Sequence, residues 1–161
     1  MSKIFNYQDN MDSETIKQIR KLVQEYAYSS IQMHEAVARR AGFSGTDHRY
    51  LGFLIERGQM TAGELSNLTG LTTGAITGLI DRFEKKKLVK RRFDKDDRRK
   101  VIIEPNIKSI MALFEPLYKD FRSMSEKLTA SFTEKEIEIV RIYLTKSIGI
   151  MNETANKLDN R

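Results

Sequence analysis

The run TAGELSNLTGLTTGAITGLIDRF, which begins at Thr61, constrains the fold of the chain most strongly. Thr61 and Glu64 have the spacing of a capping box and predict a short helix over residues 62–68. Gly70, in the TGL that follows, is free to adopt a positive φ, which predicts a tight turn. A short capped helix, a turn with glycine and a longer amphipathic helix are typical of a helix-turn-helix, although many helical hairpins share this order.

The longer helix is predicted to begin at a cap formed by Thr72 or Thr73 and to run to about residue 86. Its inward face has apolar residues at helical spacing, namely Ile76, Leu79, Ile80 and Phe83. Its outward face, flanked by Arg82 and Lys85, carries small and polar residues, namely Thr73, Gly74, Thr77, Gly78 and Asp81. This pattern predicts a helix with one face in the core and the other open to a partner.

A β-hairpin is predicted directly after this helix. LVKRRF, from Leu88, is a short strand, DKDD is a turn, and RRKVIIEP is the return strand that Pro105 ends. The segment from Arg91 to Lys100 holds six basic and three acidic side chains, too many charges for a core. A charged hairpin that follows a helix-turn-helix is a wing, here residues 90–100.

The positive charge of the chain is concentrated in this region. The net charge is +6, and residues 82–100 contain eleven Lys and Arg against four Asp and Glu. The rest of the chain is almost neutral, with 17 basic and 18 acidic residues. A basic excess in one segment is the electrostatic footprint of a protein that binds a polyanion at one place. A solvated charged face is the alternative interpretation.

Long amphipathic helices are predicted on both sides of the middle segment. The first, over residues 12–42, has an apolar seam at alternating three- and four-residue spacing: Ile16, Ile19, Val23, Tyr26, Ser30, Met33 and Val37. The C-terminal segment, residues 106–158, repeats this spacing, with a kink or break near Glu115 caused by Pro116. Further along this segment, a second helix is predicted to start at a capping box formed by Thr133 and Glu136. Seams of this length favour packing between two chains, so a homodimer is predicted; an intrachain three-helix bundle is the alternative.

Composition excludes several classes of function. The chain has no cysteine, which rules out disulfides, thiolate zinc sites and thiol redox switches. The two histidines, His34 and His48, are expected to lie alone, and no nucleophile–base pair, metal-ligand spacing or phosphate loop is visible. We therefore expect no catalytic residue, no metal and no cofactor. No apolar run reaches the ~18 residues of a membrane span and no secretory pattern opens the chain, so we expect a cytoplasmic protein without a membrane partner.

With these elements in place, the run TAGELSNLTGLTTGAITGLIDRFEKKKLVKRRFDKDDRRKVII resembles the winged helix-turn-helix of the MarR family of bacterial transcriptional regulators. The resemblance covers about residues 46–103, and the flanking helices match in order and length. Its most specific part is the wing tip DKDDRR, which is similar to the family's Asp-x-Arg element, here Asp97 and Arg99. The resemblance implies a mostly α fold with a small β-hairpin wing: a winged helix-turn-helix over residues 46–104 between N- and C-terminal dimerisation helices.

The resemblance also implies how double-stranded DNA is bound. The second helix of the helix-turn-helix reads the major groove, and Arg99 enters the minor groove of an inverted-repeat operator. Asp97 orients the Arg99 guanidinium, unless it only forms the turn. The other candidate DNA contacts are polar and basic residues of the helix and wing: Thr72, Thr73, Thr77, Arg82, Lys85, Arg91, Arg98 and Lys100. Close approach to DNA would explain Gly74 and Gly78, which each cost the helix ~1 kcal/mol against alanine; packing against another helix is the alternative.

Members of this family are often released from DNA by small, frequently aromatic ligands bound between the dimer helices and the winged domain. Five residues are candidates for lining such a space, although ordinary core or interface positions would also account for them: Tyr26, Met33, His34, Phe43 and Tyr50. The chain departs from the family pattern at Lys87, where glycine is usual, at Gly78, where many relatives have a longer side chain, and at Glu104–Pro105, in place of a common Leu-Thr.

The function predicted is therefore that of a dimeric, sequence-specific regulator of transcription, most simply a repressor, that is not an enzyme. The alternative is a helical protein-interaction module with a nonspecific polyanion-binding surface.

Overall fold

A computed structural model describes residues 13–93, 97 and 100–159 of the chain. The elements, in chain order, are α1 (Ser13–Arg40), α2 (Gly45–Arg57), β1 (Met60–Thr61), α3 (Ala62–Thr69), α4 (Thr73–Lys85), β2 (Val89–Phe93), β3 (Val101–Pro105), α5 (Ile107–Ala130) and α6 (Glu134–Asp159). The predicted fold class, mostly helical with a small β wing, is confirmed. The chain divides into two compact units, Met1–Leu117 and Tyr118–Arg161.

The helix-turn-helix is set by caps on both sides of its turn. Thr61 Oγ1 accepts a hydrogen bond from the Glu64 N–H at 3.2 Å, and Glu64 Oε2 accepts one from the Thr61 N–H at 2.6 Å, which is the predicted capping box. α3 ends at Gly70, whose φ of +70° is the left-handed conformation that the turn requires. α4 then begins after Thr72, whose Oγ1 accepts from the Ala75 N–H at 3.3 Å. The predicted reading helix of residues 72–86 is therefore α4 with one capping residue at each end.

The inward face of α4 lies at the centre of the core. The predicted side chains Ile76, Leu79, Ile80 and Phe83 are all at most 1% exposed. Apolar side chains from the surrounding elements of the first compact unit are also buried: Phe43, Leu51, Leu54, Leu65, Leu88, Val89, Ile103, Ile110 and Phe114. Full burial of one such side chain contributes about 1.5–3 kcal/mol, so the core fixes which face of α4 stays outside.

The sheet has the strand order β1-β3-β2, and both pairings are antiparallel. β2 and β3 form the predicted hairpin, in which Val89 pairs with Pro105. β1 was not predicted; its Met60 pairs with Ile103. Two residues are too few for an alternating pattern to show, and this pairing forms only when the wing folds back onto the start of α3.

The predicted break near Glu115 is absent, because α5 is one continuous helix that includes Pro116. Proline inside a helix removes the hydrogen bond to the carbonyl four residues earlier, here that of Ala112, and its ring crowds that carbonyl. Ile110 and Phe114, which are buried just before it, hold this part of the helix in place. The local signal for a break is therefore outweighed by tertiary burial.

α6 and α1 expose most of their apolar side chains. α6 begins at the predicted capping box, where Glu136 Oε2 accepts from the Thr133 N–H at 2.8 Å. No residue of α6 is buried within its described span, and Ala38 is the one buried residue in α1. The exposed large apolar residues are Ile16, Ile19, Leu22, Tyr26, Tyr28 and Ile31 in α1, and Ile139, Val140, Tyr143, Leu144, Ile148, Ile150, Met151 and Leu158 in α6. Exposed apolar residues in such numbers on a helix are typical of an interaction surface.

The residue that follows the cap of α4, Lys87, has the left-handed backbone conformation that favours glycine. Lys87 has a φ of +58° and is the one non-glycine residue with a positive φ in the part of the chain that the structure describes. Such a conformation costs an L-residue ~1–2 kcal/mol. The Lys87 N–H donates to Glu84 O at 2.8 Å and the Leu88 N–H to Phe83 O at 2.9 Å, which hold the strained turn. The departure at Lys87 thus changes the side chain and not the course of the backbone.

Candidate nucleic-acid interface

The outward face of α4 is open and carries little side-chain bulk. Thr73, Gly74 and Thr77 are exposed. A Cβ added at Gly74 would meet none of the described atoms within 4 Å, and one added at Gly78 would meet only Arg82 Nη1, at 3.8 Å. Packing within the chain therefore does not explain these two glycines. The face leaves room for another molecule to approach the helix backbone.

Three threonines surround the exposed N-terminal part of α4. Thr72 caps the helix, and Thr73 is its first residue. Thr77 Oγ1 donates to Thr73 O at 3.0 Å, which fixes the hydroxyl so that its oxygen is presented as an acceptor on the exposed face. The free backbone N–H groups at such a helix start attract phosphate. The three predicted contacts therefore share one surface.

Arg91 is held against the last turns of α4. Its Nη2 donates to Asp81 Oδ1 at 2.6 Å, and its Nη1 donates to Glu84 Oε2. The Arg91 N–H also donates to Glu84 Oε1 at 2.9 Å, and Nη2 lies 3.4 Å from Thr77 O. The side chain is 32% exposed. Arg91 thus joins β2, the first strand of the wing, to α4. The predicted contact of Arg91 with DNA stays a prediction.

The other two cations of β2 have partners near the wing. Lys90 Nζ lies 3.1 Å from Glu104 Oε1, and Arg92 Nε lies 3.3 Å from Glu104 Oε2. Arg92 Nη2 also donates to Gln59 Oε1 at 3.2 Å. Glu104 lies outside the basic segment of residues 82–100 and compensates part of its charge. The local excess of positive charge in the fold is therefore smaller than the count along the sequence.

Arg82 connects α4 to the start of α2. Its Nη2 donates to Asp47 Oδ1 at 2.8 Å, and its Nη1 donates to Gly78 O at 3.1 Å. Asp47 is 7% exposed and is the one buried charged residue in the described part of the chain. Removing its partner would leave a buried charge unpaired, which is strongly destabilising. Arg82 therefore has a structural role that the sequence did not show, while its side chain remains 56% exposed.

A cationic cavity of about 570 Å³ lies beside this ion pair. It is lined by Arg39, Gly42, Phe43, Ser44, Asp47, Arg82, Lys85 and Lys86. Lys86 Nζ is 4.5 Å from the centroid of the Phe43 ring and donates to Ala41 O at 3.2 Å. Of the five residues predicted to line an effector site, only Phe43 lines this cavity: Tyr26 is 74% exposed on α1, and Tyr50 is buried.

The two histidines are brought together, which corrects the expectation that they lie alone. The rings of His34 on α1 and His48 on α2 stack with their centroids 5.5 Å apart, and His48 meets Phe114 on α5 edge to face at 4.9 Å. Burial lowers the pKa of His48, and the neighbouring His34 lowers it further. This pairing depends on the angle between two helices, which no local pattern reports.

The wing-tip residues Arg98 and Arg99 lie outside the described residues. Beside them, Asp97 is partly buried, and its carbonyl accepts from the N–H of Lys100 at 2.9 Å. Lys100 is exposed, and its charge, after the larger effect of the hydrogen bonds from Thr61, lowers the pKa of Glu64 at the start of α3. The start of β3, at the tip end of the hairpin, is thus near the first helix of the helix-turn-helix. The pairing of Asp97 with Arg99 stays a prediction.

No group of three or more His, Asp or Glu side chains within residues 13–93, 97 and 100–159 is placed to hold a metal ion. No helix in these residues has the length and apolarity to cross a membrane.

Comparison of sequences places the chain among bacterial regulators. Residues 41–100 match the model of the MarR family. The chain is 37% identical over 152 residues to the HTH-type transcriptional regulator YcgE of Bacillus subtilis, covering 92% of this chain and 96% of that protein. It is 25% identical over 130 residues to the HTH-type transcriptional regulator MhqR of the same organism, with 80% and 88% covered.

Solved structures share the fold. A MarR family protein from Bacillus stearothermophilus superposes with a TM-score of 0.69 at 26% identity, covering 89% of this chain and 99% of that one. A mutant of MepR from Staphylococcus aureus, bound to an oligodeoxyribonucleotide, superposes with a TM-score of 0.58 at 22% identity, with 83% and 97% covered. Proteins of this family regulate transcription and are not enzymes. With the winged helix-turn-helix formed by α3, α4 and the β2–β3 hairpin, the chain belongs to the MarR family of transcriptional regulators.

Proposed function

We propose that the protein is a homodimeric repressor that binds an inverted-repeat operator in double-stranded DNA. In each half-site α4 occupies the major groove and the wing, residues 90–100, reaches the minor groove. The observation that carries this proposal is the outward face of α4, where Gly74 leaves the backbone bare beside a basic hairpin. Repression is the simplest form of regulation for such a protein, because a protein bound at a promoter blocks transcription. Because its target is bacterial DNA, the protein is proposed to act in the cytoplasm.

The contacts divide between base reading and phosphate binding. Thr77, on the open face, is proposed to read a base edge, while Thr72 and Thr73 bind phosphate at the helix N-terminus. Arg99 is proposed to enter the minor groove, with Asp97 holding its guanidinium. Phosphate contacts are proposed to come from the exposed cations Lys85 and Lys100, from Arg98, and from the solvent-exposed part of the Arg82 side chain.

The dimer is proposed to form through the terminal helices, residues 12–42 and 106–158, on either side of the DNA-binding residues 46–104. The support is the apolar surface that α1 and α6 expose in the single chain. A two-fold dimer places its two reading helices one helical turn apart, about 10–10.5 base pairs between half-site centres. Selecting bound duplexes from a random pool tests this proposal: recovered sequences without an inverted repeat of that spacing would rule it out.

Alanine at Gly74 and Gly78 is expected to stabilise the protein and weaken its DNA binding. Each glycine is in a helix where a Cβ has room, so alanine adds up to ~1 kcal/mol of stability. If DNA approaches the backbone there, the new methyl groups collide with it and affinity falls by roughly tenfold. Urea denaturation and fluorescence anisotropy on a selected duplex measure the two effects.

Gly52 provides the matched control for this pair. It is an exposed glycine of α2, and a Cβ there also meets nothing within 4 Å among the described residues. Gly52→Ala is expected to give a similar gain in stability with no change in DNA affinity. Unchanged DNA affinity in the Gly74→Ala and Gly78→Ala proteins would remove close backbone contact from the account.

We further propose that a small aromatic anion releases the repressor from DNA by binding in the cationic cavity beside Phe43. The cavity combines an aromatic ring with the cations Arg39, Arg82 and Lys86, which suits an aromatic carboxylate. Because Arg82 belongs to α4, a ligand that contacts it is coupled to the reading helix. Titration of benzoate into the protein–DNA complex should release the DNA, more weakly so after Arg39→Ala; retention of DNA at millimolar benzoate speaks against this site.

A further inference from the structure

We propose that Arg91 is a positioning residue, not a DNA contact. With Asp81 and Glu84 it sets the angle between the wing and α4, so that the two elements meet DNA as one preformed unit. This inference rests on the proposed DNA-binding function and deepens it, because it assigns the means by which major-groove and minor-groove contacts are kept in register.

The geometry is that of a guanidinium bridging two carboxylates. Asp81 and Glu84 are three residues apart, so both side chains project from the same side of α4. The two terminal nitrogens of Arg91 take one carboxylate each, and the Arg91 N–H takes the second oxygen of Glu84. The strand is therefore fixed to the helix through both its side chain and its backbone. A lysine, with one ammonium group, does not reproduce this planar fork.

The charges also favour positioning over a phosphate contact. Asp81 is 59% exposed on the face of α4 that is proposed to meet DNA, where an unpaired carboxylate repels phosphate. Arg91 neutralises this charge and that of Glu84. If the guanidinium instead moved to a phosphate, it would leave both carboxylates uncompensated beside the DNA. The carboxylates of Asp81 and Glu84 therefore repel the DNA phosphates less when Arg91 stays bound to them.

The neighbouring lysine shows what a cation without this role looks like. Lys90 precedes Arg91 on the same strand, but it forms its ion pair with Glu104, which belongs to β3. That pair lies within the hairpin and does not reach α4. Lys90→Ala therefore removes the same charge from the same strand and leaves the bridge to the reading helix intact.

The test compares full-length Arg91→Ala, Arg91→Lys and Lys90→Ala proteins with the original. Without DNA, amide hydrogen exchange in β2 and β3 is expected to be faster by about tenfold in both Arg91 variants, with the amides of α2 unchanged. With DNA, affinity for a duplex selected by the original protein is expected to fall by roughly tenfold, while affinity for a scrambled duplex and its salt dependence stay the same. The Lys90→Ala protein should match the unsubstituted protein both in amide hydrogen exchange in β2 and β3 and in its preference for the selected duplex over the scrambled one.

Three results would overturn the proposal. Unchanged exchange in β2 and β3 of Arg91→Ala would show that no positioning role exists. Equal losses on both duplexes, with the slope of log affinity against log salt reduced by about 0.9 for each protomer, or about 1.8 in the dimer, would make Arg91 a phosphate contact. Full recovery by Arg91→Lys would show that charge alone matters. If the original protein preferred no duplex, the proposed function would fail, yet the exchange result would still decide whether Arg91 fixes the wing.

Discussion

Replacing Leu144 and Met151 together by glutamate is expected to convert the dimer into folded monomers with much weaker operator binding. In the single chain these side chains are 48% and 56% exposed, so their own fold does not depend on burying them. In the proposed dimer each would be buried, at about 1.5–3 kcal/mol per side chain, and four are present in the pair of chains. Because each side chain is already about half-buried in the single chain, the association free energy weakens by roughly 3–6 kcal/mol, about two to four powers of ten in the dissociation constant.

Glutamates at Thr145 and Asn152 provide the matched control. These exposed residues directly follow the two targets on α6 and lie about 100° further round the helix, off the seam. The control protein should stay dimeric, by analytical ultracentrifugation across a concentration series, with the same helical circular dichroism. A Leu144→Glu/Met151→Glu protein that remains a dimer would show that the α6 seam is not the interface. Truncation before Asn106 is a less specific test, because it also removes the buried Ile110 and Phe114.

Arg99→Ala is expected to cost about 1–3 kcal/mol of operator affinity per contact, so up to twice that in a symmetric dimer. A wing arginine in a narrow A·T-rich minor groove recognises shape, so the loss should be greatest on duplexes with A·T-rich flanks. Folding should be unaffected, because the segment that contains Arg99 is too charged to be expected in a core. Anisotropy titrations on selected duplexes with A·T-rich and G·C-rich flanks measure the difference.

Arg98→Ala serves as the comparison, because it removes an identical charge from the adjacent position. If Arg98 is a phosphate contact, its loss should weaken binding to selected and scrambled duplexes alike and lower the salt slope by about 0.9 for each protomer, or about 1.8 in the dimer. Asp97→Asn should reproduce part of the Arg99→Ala loss if the carboxylate orients the guanidinium. Operator affinity that is the same in Arg99→Ala and the original protein would remove the minor-groove mechanism.

The elements that could be predicted from the sequence are those with local causes. The capping box of Thr61 and Glu64, the left-handed turn at Gly70 and the apolar face of α4 all depend on residues within one or two turns of each other. The positive φ of Lys87 was not predicted, because the sequence showed only that lysine stands where glycine is usual in the family. Of the kink or break predicted at Pro116, the break is absent because α5 is continuous there, and the kink stays a prediction.

The contacts that could not be predicted join distant parts of the chain. Charge patterning identified Arg82 and Arg91 as exposed cations, but it gave no sign that Asp47, on another helix, lies 2.8 Å from Arg82. The stacking of His34 on His48 and the pairing of β1 with β3 are of the same kind. A linear count of charge therefore identifies a basic segment, but it does not show which of its cations already have acidic partners in the fold.

The central claim is that the protein recognises a DNA sequence through α4 and the wing. Fluorescence anisotropy across a salt series, with the duplex selected by the protein and a scrambled duplex of equal composition, tests it most directly. The account predicts a preference for the selected duplex of ~10³-fold or more that survives physiological salt. Equal binding to both duplexes that disappears as salt is raised would contradict it, and the chain would then be a helical interaction module with a nonspecific polyanion-binding surface.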